Sequence, residues 1–426
     1  MAAVVGLRCL RCGSRYGPLD YASDCPKCHP QAPSNLVVEY QTPLTRARPA
    51  ASMPGGGLWR YGDLLPVTGA EAVSLGEGGS PLHRLGSLER SIGVNSLFAK
   101  DETRNPTWSF KDRLACVAVS VAKKLGAPAI VSSSTGNAGA AVAAYAAKAG
   151  LPCVVFTATG AVGPLVTQMR VYGATVVAVA NKADRWPLMQ HAVREFGWFP
   201  TSPFFGPVVG SNPYGIEGYK TLAYEIAEQM GWQVPDCCVL PVCYGDALIG
   251  MWRGFEDMLA LGWIDRMPRM MAAEIYGSLG AALHDGGDAL PDMPATHDTV
   301  AKSTTATRST YQALHVLRAS GGTATVVTNE AIMHWQQTLA SQEGLYVEPA
   351  SAGAIAAVAQ FRASGDIAAT DRVAVLLTAG GLKDPQATAA TLGDLPAVTG
   401  DAAAVFAQLK TTNLIRRDRA HANTRC

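Results

Sequence analysis

The sequence predicts an α/β fold, two open parallel-sheet domains behind a small N-terminal ribbon. Three observations predict it. Short apolar runs alternate with helical stretches through most of the chain, a β-α-β-α rhythm that requires parallel strands with helical crossovers. Two C-x-x-C knuckles, Cys9/Cys12 and Cys25/Cys28, stand apart within the first 30 residues. The chain has 426 residues, 48% hydrophobic and 16% charged, which is enough for two or three domains and a sizeable core.

The ribbon comes first. Cys9, Cys12, Cys25 and Cys28 have the spacing that presents four thiolates tetrahedrally to Zn²⁺. Gly13 and Pro26 supply the tight turns the knuckles need, and His29 is a less well-placed alternative ligand. A closed four-sulfur site has no open position, so its role is structural. Residues 36–40 (L-V-V-E-Y) form the strand that closes a module of residues 1–45. Residues 41–57, rich in Pro, Gly and Arg, form a linker, and a compact body begins at Trp59.

Residues 97–100 are a short strand leading into N-P-T-W-S-F-K-D-R, residues 105–113. Asn105, Pro106, Thr107 and Ser109 read as turn and cap residues before an apolar helix over 114–125. Lys111 therefore sits at the positive end of a helix against an apolar wall. Both effects disfavour the ammonium form, which suits an amine that condenses with a carbonyl.

A strand over 129–132 then runs into S-S-S-T-G-N-A-G and a small-residue helix over 140–150. The Ser/Thr/Gly loop, Ser134, Thr135, Gly136 and Asn137, clusters hydroxyls and N–H donors where an anion can sit. Strands follow at 152–157 and 174–179. After a helix over 218–230, a strand at 238–242 leads to a second loop, Cys243, Tyr244, Gly245, Asp246 and Ala247, whose backbone can wrap a phosphate. A strand at 271–275, an irregular stretch over 280–310, helices over 335–344 and 350–361, and a buried strand at 373–377 complete the body. Thr378 then places a hydroxyl at the carboxyl end of a sheet strand, where ligands of open α/β sheets bind. Residues 401–426 read as a terminal helix and a basic tail, R-R-D-R.

Net charge is +1, which gives no electrostatic case for nucleic acid or for an anionic membrane. No run reads as a span of ~20 apolar residues. The N-terminus lacks the apolar run of a secretory signal, so cytoplasmic location with reduced thiols is expected.

Lys111 in N-P-T-W-S-F-K-D-R, Asn137 in S-S-S-T-G-N-A-G, Gly245 in P-V-C-Y-G-D-A-L and Thr378 in L-L-T-A-G-G-L-K-D-P occur in the order of the fold-type II pyridoxal-phosphate enzymes. Over roughly residues 75–390 the chain resembles that family, and within it the threonine synthases. The segments Y-G-I-E-G-Y-K-T and Y-V-E-P-A-S-A-G, and the ribbon, are also similar to theirs.

The resemblance implies pyridoxal 5′-phosphate as cofactor, with Lys111 holding its aldehyde and then moving the α-proton. It implies Asn137 at the ring O3′, Thr378 at the ring nitrogen, Cys243 to Ala247 around the cofactor phosphate, and Ser134 to Asn137 at the substrate carboxylate. A hydroxyl at the ring nitrogen suits elimination and replacement over racemisation. It further implies a large domain of residues 46–114 and 206–400, a small mobile domain of residues 115–205 and a homodimer. The partner is a small amino acid, with O-phosphohomoserine and water going to threonine and phosphate as the first candidate reaction.

The motifs also depart from the family. Trp108 replaces a usual glycine, Cys243-Tyr244-Gly245-Asp246 replaces a more glycine-rich loop, Gly215 replaces the arginine before I-E-G, and Pro164 falls near a usual lysine. Asp246 must then point away from a bound phosphate. Arg308 and Arg170 are candidate replacement cations. A β-replacement synthase similar to cysteate synthase, a serine/threonine dehydratase and a non-catalytic cofactor-binding homologue are the alternative readings.

Overall fold

A computed structural model describes residues 4–18, 24–41, 46–49, 56–159, 161, 163–204, 206–393 and 400–411. Much of the expected linker and all of the R-R-D-R tail lie outside these residues.

Among the described residues, thirteen strands form three sheets. The ribbon sheet is antiparallel, with β1 (Val4–Cys9) between β2 (Arg15–Tyr16) and β3 (Leu36–Tyr40). A six-stranded sheet is built from β4 (Leu82–Arg84), β5 (Ser96–Asp101), β10 (Cys237–Pro241), β11 (Arg269–Glu274), β12 (Ala324–Val326) and β13 (Arg372–Leu377). Its order is β12-β11-β10-β13-β5-β4, parallel except for β4. A four-stranded parallel sheet, β8-β7-β6-β9, is built from β6 (Ile130–Ser133), β7 (Cys153–Ala158), β8 (Thr175–Val179) and β9 (Phe199–Pro200).

The central strands read as unbroken apolar runs, C-C-V-L-P and R-V-A-V-L-L, because helices cover both faces. In register, Arg372 to Leu377 of β13 lies beside Ser96 to Asp101 of β5. Thr378 and the chain after Asp101 therefore emerge together at one carboxyl edge. There the Phe110 amide donates to the Thr378 carbonyl (2.8 Å), and Ser109 bridges Ala379.

The lysine helix, Lys111–Lys124, is buried from Asp112 to Ala122 and packs between the helices Asn137–Ala149 and Pro213–Ile216. Its start corrects the expected cap. Phe110 precedes it with no side-chain cap bond, while the Asp112 carboxylate reaches back to the Thr107 amide (3.1 Å) and hydroxyl (2.9 Å).

The stretch expected to be irregular over 280–310 contains the end of a helix, Ser278–Asp285. Its cap comes from the preceding strand: the Glu274 carboxylate, at the end of β11, accepts from the amides of Leu279 (2.9 Å) and Gly280 (2.8 Å). The helix expected from 335 starts at Asn329, where the Thr328 hydroxyl takes the Ala331 amide.

The chain divides into two compact units, Met1–Pro385 and Gln386–Cys426. The second holds the helices Gln386–Leu392 and Ala402–Thr411. No described helix is long and apolar enough to cross a membrane.

Candidate active site

Lys111 is half-buried, and its amine makes no hydrogen bond or ion pair among the described residues. It lies 4.4 Å from the centre of the Phe110 ring and 5.8 Å from that of Tyr219. Those rings stack on each other at 5.2 Å. Desolvation lowers the amine's pKa, opposed by Asp246, Cys243 and Glu348. The sequence expectation of a low-pKa amine on an apolar wall thus has a geometry that supports it.

A buried ion network sets the lysine loop. Arg113 is fully buried and donates to Glu102 (2.7 and 2.8 Å) and Glu225 (2.7 and 2.8 Å). Lys100 pairs with Glu225 at 2.7 Å, and Asn105 donates to Glu102 at 2.7 Å. Trp108 closes the loop with φ of 62°, a left-handed conformation that favours glycine, and is 58% exposed. The fold, rather than contact with the pocket, accounts for a glycine preference here.

The loop after β10 is shaped to offer donors. Gly245 has φ of 76°, and a Cβ there would fall 2.6 Å from that of Ala313. The loop's carbonyls are tied outward: Cys243 O accepts from Ser309 Oγ (2.9 Å), and Tyr244 O from Thr310 Oγ1 (2.7 Å) and Gln312 Nε2 (2.8 Å). The amides of Tyr244, Gly245, Asp246, Ala247 and Leu248 make no hydrogen bond among the described residues. They open the 15-residue helix Asp246–Ala260. The Asp246 carboxylate is held away by Ser211 (3.0 Å from its amide, 2.6 Å from its hydroxyl) and Gln312 (2.8 Å).

Asn137 begins the helix Asn137–Ala149, three residues earlier than the pattern predicts. Its Nδ2 donates to Glu348 (2.9 Å), while Oδ1 is buried without a partner among the described residues. Glu348 also accepts from Ser303 (3.1 Å), and burial raises its pKa. In the preceding loop, Ser134 Oγ accepts the amides of Gly136 (3.1 Å) and Gly139 (3.0 Å), so that hydroxyl caps its own helix. The amides of Thr135, Asn137 and Ala138 carry no bond among the described residues and remain for an anion. Thr378 Oγ1 is paired at 2.6 Å with the hydroxyl of buried Ser351.

The candidate cations are exposed. Arg308 is exposed and lines a cavity of about 260 Å³ with Arg11, Gln31, Val208 and Asp288, among whose lining residues Lys111 and Asn137 are not found. Arg170 and Pro164 are exposed on the helix Pro164–Val171. At Gly215 a Cβ would meet Leu114 Cγ at 2.9 Å and Ala118 Cβ at 3.2 Å, so packing against the lysine helix leaves no room for a side chain.

Glu348, Gln312, Ser351 and Lys383 were not singled out from the sequence. Lys383 is buried, donates to Thr107 O and to Gln168 Oε1 (3.0 Å), and has its pKa pushed down to about 8 by desolvation, against Asp112 and Glu348. The unfolded chain takes up this proton near pH 10.4 and the folded chain only near 8. Stability is therefore expected to rise from pH 8 to pH 10 in the wild type, and this rise should shrink in Lys383→Met. Melting curves at pH 8, 9 and 10 check it; parallel curves for the two proteins would contradict it.

The four ribbon sulfurs lie within 4.8 Å of one another. Cys9–Cys28 and Cys12–Cys25 are 3.8 and 3.7 Å apart, and a tetrahedron with Zn–S near 2.3 Å has edges of about 3.8 Å. The donor set therefore fits zinc. His29 is instead paired with Asp24 at 2.6 Å.

The ribbon also reaches the donor loop. Buried Asn35 donates to Gln312 Oε1 (2.7 Å), and Gln312 Nε2 holds Tyr244 O and Asp246. Gln312→Ala is expected to weaken binding of the ligand held by this loop about tenfold. A titration of that ligand giving an unchanged dissociation constant would show that the loop keeps its shape without Gln312.

A family model described as pyridoxal-phosphate dependent enzyme matches residues 73–379. The chain is 34% identical over 390 residues to a threonine synthase of Methanocaldococcus jannaschii, covering 89% of this chain and 93% of that protein. It is 35% identical over 390 residues to one of Methanosarcina acetivorans (89% and 92% covered), and 36% over 345 residues to one of Halalkalibacterium halodurans (80% and 94%). Among solved structures, serine racemase from Dictyostelium discoideum superposes with a TM-score of 0.59 at 21% identity, covering 71% of this chain and 92% of that one. Diaminopropionate ammonia lyase from Escherichia coli gives 0.63 at 18% identity, covering 75% and 89%. These two show the likeness of fold.

Proposed function

The chain belongs to the pyridoxal-phosphate dependent enzyme family, and from that membership we propose a threonine synthase-like enzyme that converts O-phosphohomoserine and water to threonine and phosphate. The observation that carries the reading is the unpaired Lys111 amine on its aromatic wall, with the free amides of Tyr244 to Leu248 in the same site. The partnerless Asn137 Oδ1 adds a polar atom for the cofactor's ring edge.

When bound, pyridoxal phosphate supplies the electron sink that makes an amino acid's α-proton removable. Lys111 would hold it by the aldehyde, the 244–248 amides by the phosphate, and Asn137 and Thr378 at the ring. The low-pKa amine of Lys111 then takes the α-proton and returns a proton later in the turnover. The amides of Thr135, Asn137 and Ala138 orient the substrate carboxylate. Phe110 and Tyr219 keep water from the amine. We assign residues 115–205 to a small domain that closes over the site, Zn²⁺ to the four ribbon cysteines, a homodimer to the assembly and the cytoplasm as location.

A second reading, β-replacement or serine/threonine dehydration, is favoured by the absence of room for a cation at Gly215. The test is a panel of O-phosphohomoserine, O-phosphoserine, serine and threonine, each added to holoenzyme while cofactor absorbance is followed. A spectral shift with O-phosphohomoserine supports the first reading. A shift only with the other three replaces it by the second, and no shift with any leaves a non-catalytic homologue.

A further inference from the structure

Arg185 opens the 12-residue helix Arg185–Phe196 and is 8% exposed, although the residues on either side of it in the chain, 181–184 and 187–188, are exposed. Its Nε donates to the Lys182 carbonyl at 3.1 Å. Its terminal nitrogens make no hydrogen bond, and no carboxylate lies within ion-pair distance among the described residues. The other buried arginine among the described residues is not left so: Arg113 pairs with Glu102 and Glu225.

The side chain is held by burial and by its Nε bond, while its terminal nitrogens stay unpaired and open to solvent, with their donors available. A cation at a helix's positive end, with no acid in the first turn, is disfavoured. Such an arrangement is held in reserve for an anion. The fold says which edge it serves: β6, β7 and β8 run parallel, so the turn 182–185 that follows β8 and the Ser134–Asn137 loop that follows β6 leave the four-stranded sheet at the same carboxyl edge.

We propose that Arg185, with the first turn of its helix, binds the oxyanion at the departing end of the substrate, a phosphomonoester carried on a small amino acid. This rests on the threonine synthase-like reading and deepens it. Arg185 supplies from the 182–185 turn the charge-assisted bonds that Gly215 has no room to supply.

The test uses holoenzyme of the wild type, Arg185→Gln and Arg185→Lys. Inorganic phosphate is titrated calorimetrically, cofactor affinity is measured separately, and kcat and KM are taken with O-phosphohomoserine. Losing the guanidinium should weaken phosphate binding and raise KM by about 10- to 100-fold, with cofactor affinity kept. Arg185→Lys should recover part of both. Without phosphate, Arg185→Gln should melt no lower than the wild type, since it removes an unpaired charge; a merely structural arginine would lower it.

Unchanged phosphate affinity and KM in Arg185→Gln overturns the proposal, as does a wild type that binds no phosphate. A loss of cofactor affinity with KM unchanged at saturating cofactor also overturns it, and assigns Arg185 to the cofactor's phosphate. A wild type that binds phosphate through Arg185 but turns over only serine or threonine overturns the functional reading and leaves the anion site standing.

Discussion

Lys111→Ala is expected to lower turnover by roughly 10³-fold or more and to remove the visible absorbance of amine-linked cofactor. The size of the effect follows from the lack of a substitute. Lys100 is locked to Glu225. Lys383 is held by Thr107 and Gln168. Lys111→Arg keeps the charge but cannot condense with an aldehyde at neutral pH, and should fail equally. The amine has no partner among the described residues, so Lys111→Ala apoprotein should melt no lower than wild-type apoprotein. Turnover and absorbance retained in Lys111→Ala would remove the lysine from the chemistry.

Arg113→Ala should show the largest loss of stability, about 3–5 kcal/mol, read as a shift of the urea midpoint. It leaves Glu102, 0% exposed, without a cation among the described residues and Glu225, 1% exposed, with Lys100 alone. Removing one partner of a buried network leaves the others charged in a low-dielectric interior. The lysine loop would also lose its anchor, because Asn105 takes its place by donating to Glu102. A destabilisation under about 1 kcal/mol would show that water reaches the network.

The site residues that were legible in the sequence sit in short local patterns. Lys111, Asn137, Gly245 and Thr378 each follow a strand or open a helix, and apolar runs beside Gly, Pro or Ser reveal such junctions. Hidden residues are those whose partners are remote. Glu348 meets Asn137 across 211 positions, and Asn35 meets Gln312 across 277. The Ser278–Asp285 helix was hidden for a different reason: its cap is local but comes from Glu274 at the end of the preceding strand, not from a residue at the usual cap position.

Arg185 was hidden because its helix begins in an exposed, charged turn, N-K-A-D-R, that resembles a solvated surface. Arg308 is the opposite case: its neighbours Ser309 and Thr310 grip the donor loop, while its own side chain is exposed beside the ribbon. Trp108 shows a third limit, since a positive φ is a property of the folded loop that no residue type announces.

The most direct test is the conversion of O-phosphohomoserine in ¹⁸O-enriched water. Elimination breaks the carbon–oxygen bond, so phosphate should leave with its four original oxygens while the label enters the hydroxyl of threonine, one threonine per phosphate. Labelled phosphate with homoserine would mean that the phosphorus–oxygen bond was hydrolysed. That outcome, or no threonine at all, would contradict a threonine synthase-like enzyme.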